Sequence, residues 1–287
     1  MGKRVVFLSQ DSMDGFVSDD ALAIEPFADQ GLEVETVSWR ADVDWSVYDA
    51  VIVRTPWDYM HAPDAFLATI DRISDATRLA NPAALMRWNL DKRYLSELKE
   101  QGVPVVPTEY GTALTADRLN ALLSAFPAGA VIKPVISAGS KDTFALKPPI
   151  DAHTRQQVLE AHRESAYMWQ PFVRSVVEEG EYSLFFFSGA FSHCIVKRPK
   201  QGDFRVQEEF GGEIVAIEAT PEQLAVARKV LNALPETLLY ARVDLVRGEQ
   251  DEWWLIELEI IEPSLYLRTD EAAATRFARA AAAWLSD

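Results

Sequence analysis

Two short apolar segments near the carboxyl end constrain this chain more than any other feature: Tyr240-Ala241-Arg242-Val243-Asp244 and Leu255-Ile256-Glu257-Leu258-Glu259. Both read as strands. Side chains two apart on a strand share a face, so Arg242 aligns with Asp244, and Glu257 with Glu259. Gly248-Glu249-Gln250-Asp251 between them reads as a turn, which predicts a hairpin. Cross-strand neighbours lie within roughly 5 Å of each other, so three carboxylates and an arginine would crowd one patch. Like charges that close repel unless something neutralises them. Mg²⁺ held by Asp244, Glu257 and Glu259 fits, because it takes a few carboxylates and completes its octahedron with water and substrate phosphate. The alternative is a solvated acidic face. Against it, Glu257 and Glu259 stand among Trp253, Trp254, Leu255, Ile256, Leu258, Ile260 and Ile261, and carboxylates are rarely buried unpartnered. The patch points to an ATP-using enzyme.

The rest of the chain supplies an α/β frame for this hairpin. Residues 1–85 alternate strands (Val5–Leu8, Val34–Val37, Ala50–Val53) with helices (Asp19–Gln30, Asp64–Ser74), a pattern that implies a parallel sheet. The loop Arg54-Thr55-Pro56-Trp57-Asp58-Tyr59 follows a strand's carboxyl end, where open α/β sheets bind ligands. Residues 86–168 read as a smaller α/β unit with helices over Asp91–Gln101, Thr115–Ala125 and Ala152–Glu164 and a strand over Ala130–Pro134. Residues 169–287 carry long antiparallel strands (Glu181–Phe187, Ala190–Lys197, Leu239–Arg247, Glu252–Ile261). A helix over Pro221–Leu234 precedes the hairpin, and an Ala-rich helix over Glu271–Leu285 closes the chain.

Charge narrows the function classes. Lys+Arg 28 against Asp+Glu 44 gives −16, which argues against broad nucleic-acid or anionic-membrane binding but leaves room for a local nucleotide pocket. The single Cys194 excludes an intramolecular disulfide, and four scattered histidines show no metal-ligand spacing. Cys194 reads as core, since neighbouring His193 points to the opposite face of a strand. No apolar run approaches the roughly 20 residues of a membrane span, and the chain opens directly on a strand, so a cytoplasmic protein is expected.

Several further segments have two readings each. Lys133 ends an apolar strand ahead of Ser137-Ala138-Gly139-Ser140-Lys141. It can reach a phosphate cradled by that loop's backbone, or snorkel at the surface. Neither a P-loop nor GxGxxG occurs. Met168-Trp169-Gln170-Pro171-Phe172, followed by Glu178 and Glu181, suits an adenine hinge with a ribose carboxylate, or an ordinary interdomain strand. Arg198 and Arg205 flank a basic cluster in an acidic protein, which suits an anion or a solvated loop.

Taken in this order, the segments resemble an ATP-grasp enzyme over nearly the whole chain, most specifically over residues 88–268. The resemblance implies an ATP-grasp fold, with the N-terminal parallel α/β domain followed by two α+β subdomains that clamp ATP. It implies that Lys92 (in Trp88-Asn89-Leu90-Asp91-Lys92) and Lys133 contact the phosphates, and that Ser137, Gly139 and Ser140 close over them. Gln170 and Phe172 match the hinge and Glu178 the ribose carboxylate. Asp244, Glu257 and Glu259 fall where the family holds two Mg²⁺ ions, and Arg242 where an arginine stabilises the acyl-phosphate species. Many members carry Glu-x-Asn where this chain has Glu257-Leu258-Glu259, and the extra charge should tighten Mg²⁺ or change its coordination. The glutathione synthetase/RimK-like branch is the nearest in kind. The loop Pro56–Tyr59, the Lys197–Gly212 segment and Glu259-Ile260-Ile261-Glu262-Pro263-Ser264-Leu265 are similar to the D-cycloserine synthetase-like subgroup.

That resemblance implies a carboxylate–amine ligase acting through an acyl phosphate held by Arg242 and Arg205. Its substrate is expected between Arg54, Trp57, Asp58, Tyr59, Arg205, Ser264 and Arg268, where arginines suit a small amino-acid-like acid. Ring closure within one molecule is one form of this reaction. Rival readings are an ATP-grasp kinase, a nucleotide-binding regulator without chemistry, and a plain α/β protein with an acidic surface. Related enzymes are often oligomers, and the Ala-rich terminal helix could serve a homo-oligomer or its own sheet.

Overall fold

The computed structural model describes residues 2–137 and 141–286. The N-terminal sheet is parallel, in the order β2-β1-β3-β4, built from β1 (Lys3–Ser9), β2 (Leu32–Ser38), β3 (Ala50–Thr55) and β4 (Arg78–Ala80), with α1 (Ala21–Asp29) and α2 (Pro63–Ala76) as crossovers. β1 and β3 are nearly continuous runs of apolar residues because both sheet faces are covered. Beyond the helix expected over Asp64–Ser74, the chain adds β4, too short to show a period of its own.

Two helices follow, α3 (Ala83–Leu90) and α4 (Tyr94–Glu100). The helix expected over Asp91–Gln101 therefore starts at Tyr94. The Asp91 carboxylate accepts from the Arg93 backbone N–H at 3.0 Å, and the Lys92 N–H donates to the Val135 carbonyl at 2.8 Å, so Asp91–Arg93 is held as a turn. An antiparallel sheet comes next, ordered β5-β8-β6-β7 from β5 (Glu109–Thr112), β6 (Ala130–Pro134), β7 (Phe144–Leu146) and β8 (Ala166–Pro171). It carries α5 (Ala116–Ala125), capped by Thr115, and α6 (Ala152–Ala161), capped by Asp151. β8 runs across position 168, where sequence alone suggested a division.

A one-turn helix, α7 (Ser175–Glu178), leads into the third sheet, ordered β11-β10-β9-β12-β13. Its strands are β9 (Glu181–Phe187), β10 (Ala190–Arg198), β11 (Glu213–Ile217), β12 (Tyr240–Arg247) and β13 (Trp253–Glu259). α8 (Pro221–Asn232) opens with a Thr220/Gln223 capping box, and α9 (Ala273–Ser286) ends the described chain. One face of this sheet packs Leu184, Phe186, Val243, Leu255 and Leu258 against α3, α4 and α8. The other packs Phe185, Phe187, Ile195 and Tyr240 against α9 and the N-terminal sheet. α9 is therefore buried within the chain through Phe277, Ala278 and Ala281.

Candidate active site

The face that buries Phe185, Phe187 and Tyr240 becomes charged toward its other end. Register aligns Glu181 with Lys197, Ser183 with Asp244, Asp244 with Glu257, and Arg242 with Glu259. The expected hairpin patch is therefore present, and its three acids offer oxygens within 4.8 Å of one another. A bulge makes this possible. The ladder skips Ile256, pairing Asp244 with Glu257 but Leu245 with Leu255. Leu255 thus stays in the core on one side while Glu257, two residues on, faces the other. Bulges commonly re-aim side chains beside active sites in this way.

Each acid has a distinct partner. Arg242 grips Asp244 with a fork, Nε to Oδ1 at 3.0 Å and Nη2 to Oδ2 at 2.9 Å. Ser183 donates to Asp244 at 2.6 Å, and Lys197 lies 3.4 Å from it and 2.5 Å from Glu181. Lys92 pairs with Glu257 at 3.1 Å, and Arg242 also pairs with Glu259. Burial opposes ionisation of Asp244, yet Arg242 and Lys197 hold its carboxyl at about 2. Burial likewise opposes Glu257, but Lys92 and Lys133 keep it below the usual carboxylate range. Burial pushes Glu259 up to about 8, against the pull of Arg242. Arg242 is shared between Asp244 and Glu259.

A cleft of about 500 Å³ opens over this patch and under the sheet of β5–β8. Lys92, Lys133, Ser137, Gln170 and Phe172 all line it. Lys92 reaches it because its backbone is tied to Val135, and its ammonium donates to the Ser137 carbonyl at 2.7 Å. Burial and neighbouring Lys92 lower the Lys133 pKa, partly offset by Glu257. Apolar walls come from Val131, Ile256 and Leu258. Phe172 contributes its side chain; its backbone N–H already donates to Gly129 at 3.0 Å. Gly139 and Ser140 lie outside the described residues. Glu178 is exposed on α7 and is not on the cleft wall, whereas Glu181, one strand turn on, is.

The N-terminal side needs correction. Trp57, Tyr59 and Ser264 line the cleft, but Arg54, Asp58 and Arg268 do not. Arg54 is buried beneath it, bound to Asp20 at 2.9 Å and to the Pro263 carbonyl at 3.1 Å, over the rings of Tyr240 and Phe277. Asp58 accepts from Trp39 at 2.8 Å and pairs with Arg40. Arg268 pairs with Asp19 at 2.9 Å and Glu208 at 2.6 Å. Each charge is paired within the fold, although Arg54 Nη1 has no hydrogen-bond partner among the described residues. Arg205 does line the cleft, though forked onto Asp203 and stacked 3.8 Å from the Phe210 ring centroid. Sequence reasoning placed Lys197 where a strand enters a basic cluster, Lys141 in the phosphate-side loop from Ser137, and Glu262 at the start of a substrate-side run, without singling out any of them, and passed over Phe16; all four line the cleft. Strand parity with His193 and Ile195 was the available signal for Lys197. Cys194 is core, its thiol pushed up to about 12 by burial.

Comparison with known proteins agrees with this geometry. The D-cycloserine synthetase DcsG N-terminal domain family matches residues 5–81, and the prokaryotic glutathione synthetase ATP-grasp domain family matches residues 103–270. The cycloserine biosynthesis protein DcsG of Streptomyces lavendulae is 38% identical over 269 residues, which are 88% of this chain and 89% of that protein. The chain belongs to the ATP-grasp family of ligases. The crystal structure of D-cycloserine synthetase DcsG superposes with a TM-score of 0.86 at 33% identity, covering 98% of this chain and 99% of that one. A RimK domain ATP-grasp protein of Sphaerobacter thermophilus shares the fold at TM-score 0.69 and 16% identity, over 99% of this chain and 100% of its own. ATP-grasp enzymes use ATP with Mg²⁺, and the donor set fits that ion: three hard carboxylates in reach of one another, beside cations suited to phosphate. No helix among the described residues is long and apolar enough to cross a membrane.

Proposed function

We propose that this ATP-grasp enzyme joins a carboxylate to an amine through an acyl phosphate, on a small amino-acid-like substrate. The observation that carries the reading is the grouping of Asp244, Glu257 and Glu259 with Lys92, Lys133 and Arg242 at one end of a cleft large enough for nucleotide and a small acid. Three carboxylates in mutual reach suit two shared Mg²⁺ ions, which would neutralise phosphate charge when bound. Lys92 and Lys133 approach from the lid side and would hold the nucleotide phosphates. A substrate carboxylate oxygen then forms a bond to the γ-phosphorus as the bond to ADP breaks. Arg242, already fixed by Asp244, faces the resulting acyl phosphate with Arg205. An amine nitrogen attacks the carbonyl carbon, phosphate leaves, and the nitrogen loses a proton. Closure of the lid excludes water that would hydrolyse the intermediate. The DcsG relative supports ring closure within one molecule as the form of this reaction, in antibiotic biosynthesis. We also propose that residues 86–168 contain the lid, with its last strand β8 running on to Pro171.

The test is incubation with Mg·ATP and pooled amino acids. The pool includes O-ureido-D-serine, which carries a carboxylate and a nucleophilic nitrogen in one molecule. Acid-dependent ADP and phosphate support the proposal, and splitting the pool names the substrate. AMP with pyrophosphate overturns it, and a stable phosphorylated product without an amide replaces it with a kinase. Asp244→Asn and Glu257→Gln are expected to abolish turnover, and near-normal rates in both would remove the metal assignment.

A further inference from the structure

The cleft contains one acid that the chemistry above does not use. Glu262 follows β13 and lines the cleft wall formed by the N-terminal unit. Tyr59 donates its hydroxyl to Glu262 Oε1 at 2.7 Å, and Trp57 donates its indole N–H to the Glu262 carbonyl at 3.0 Å. Both the side chain and the backbone of Glu262 are thus fixed by the Pro56–Tyr59 loop. The second carboxylate oxygen has no hydrogen-bond partner among the described residues. Nor does Glu262 have an ion-pair partner among them. The four other cleft acids that are not fully exposed all have one: Glu181 with Lys197, Asp244 with Arg242 and Lys197, Glu257 with Lys92, and Glu259 with Arg242. Glu262 is also outside the group of three acids within metal-sharing reach.

Lys92 and Arg242 act on Glu262 only from a distance, and a half-buried carboxylate held in position with no cation in contact is costly unless a ligand supplies one. Its surroundings define what that cation is. Trp57, Tyr59 and Phe16 line the same part of the cleft, with the Phe16 and Trp57 ring centroids 5.6 Å apart. Aromatic faces beside a carboxylate suit an organic ammonium. A hydrated metal ion would find a single acid there. Next along the chain, the Ser264 carbonyl accepts from Arg242 Nη1 at 3.3 Å. The loop therefore holds the Glu262 carboxylate near the Arg242 guanidinium, so that a zwitterion can lie across the two if its anion takes the place of Glu259 beside Arg242.

We propose that Glu262 is the ammonium-recognition residue of this site, so that the substrate is an α-amino acid with a free protonated amine, its carboxylate turned toward Arg242. Burial pushes the Glu262 carboxyl up to about 7, which is the behaviour of an acid awaiting a positive partner. The proposal rests on the ligase reading and deepens it.

The experiment loads the protein with Mg²⁺ and a non-hydrolysable ATP analogue. It then titrates paired acids differing only at the α-position: D- and L-serine with D- and L-glycerate, and D- and L-alanine with D- and L-lactate. Wild type is expected to bind an amino member at least about tenfold better than its hydroxy counterpart, the scale of one charge-assisted hydrogen bond. Glu262→Gln should abolish that preference while leaving nucleotide affinity and melting temperature unchanged, and Tyr59→Phe should weaken it in part. If wild type and Glu262→Gln show the same preference, or wild type shows none, the assignment of Glu262 fails and the ligase reading stands. If no acid binds the loaded protein and none in the amino-acid pool stimulates turnover, both fail together.

Discussion

Lys197→Met tests whether the buried charge network is as tightly coupled as its geometry implies. Lys197 is 4% exposed, 2.5 Å from Glu181 and 3.4 Å from Asp244. Burial disfavours its charge, but Asp244 and Glu181 together raise its pKa above the usual lysine value. Methionine keeps the length and removes the charge. Asp244 retains Arg242 and Ser183, so the loss falls mainly on Glu181, whose ion pairing among the described residues is with Lys197 alone. Removing one partner of a buried pair costs about 3–5 kcal/mol. Glu181 can limit that cost by taking up a proton, because burial already raises its pKa. The sign follows from that: a carboxyl whose folded pKa lies above its unfolded value binds more protons in the native state, so stability falls as pH rises between the two values. The destabilisation should therefore be larger above neutral pH than near the usual carboxylate range. Lys197→Met/Glu181→Gln should recover most of it. Urea unfolding at several pH values measures all three quantities. A loss below about 1 kcal/mol, the scale of an exposed pair, or a double variant no better than the single, would show that the pair is not a buried unit.

Three further outcomes are expected. Lys133→Ala should weaken Mg·nucleotide binding about 10- to 100-fold by calorimetry, the range of one charge-assisted contact; an unchanged Kd would remove Lys133 from the site. His193, stacked 4.2 Å over Phe185 and bonded to the Leu265 carbonyl, has its pKa lowered by burial from 6.5 to about 4. The unfolded chain binds the proton first, so stability present above 6.5 is lost as pH falls toward 4, by roughly 3 kcal/mol in total; His193→Phe should flatten that part of the pH–stability curve, and an unaltered slope would refute the assignment. Mg²⁺ binding in the presence of ADP should release a proton near neutrality, since Glu259 holds one up to about 8, and Glu259→Gln should abolish that release when titrations in buffers of different ionisation enthalpy are compared.

The hairpin patch was legible because it rests on local features: two short apolar runs, a turn, and acids two apart. The pairing of Arg242 with Glu259 and of Asp244 with Glu257 was not legible, because it depends on a bulge. The bulge at Ile256 was hidden, since nothing in the run Leu255–Glu259 marks which residue drops out of the ladder. The arginines of the expected substrate pocket failed for a different reason. Whether an arginine faces a ligand depends on whether the fold has already given it a partner, and those partners are distant in sequence. Arg268 binds Asp19, 249 positions away, and Arg54 binds Asp20, 34 away. Motif reading sees that an arginine is near a loop but not that its charge is matched. The same blindness left Glu262 as one member of a substrate-side run, because sequence does not show that it lacks the ion-pair partner the other half-buried cleft acids possess.

Glu259 also changes how the departure from Glu-x-Asn should be understood. An added carboxylate ought to draw Mg²⁺ more strongly if it stood free. Here Arg242 lies against it, and along the cleft six basic side chains (Lys92, Lys133, Lys141, Lys197, Arg205, Arg242) face six acidic ones (Glu181, Glu209, Asp244, Glu257, Glu259, Glu262). With no surplus negative charge, the empty cleft has little to offer a lone divalent ion. The triphosphate provides that surplus when it enters, and burial then makes each new contact stronger than it would be in water. Metal and nucleotide are thus expected to bind as a unit. We propose that the second glutamate holds Arg242 in position between turnovers, and that it would be free to act as a metal donor once phosphate takes its place beside the guanidinium.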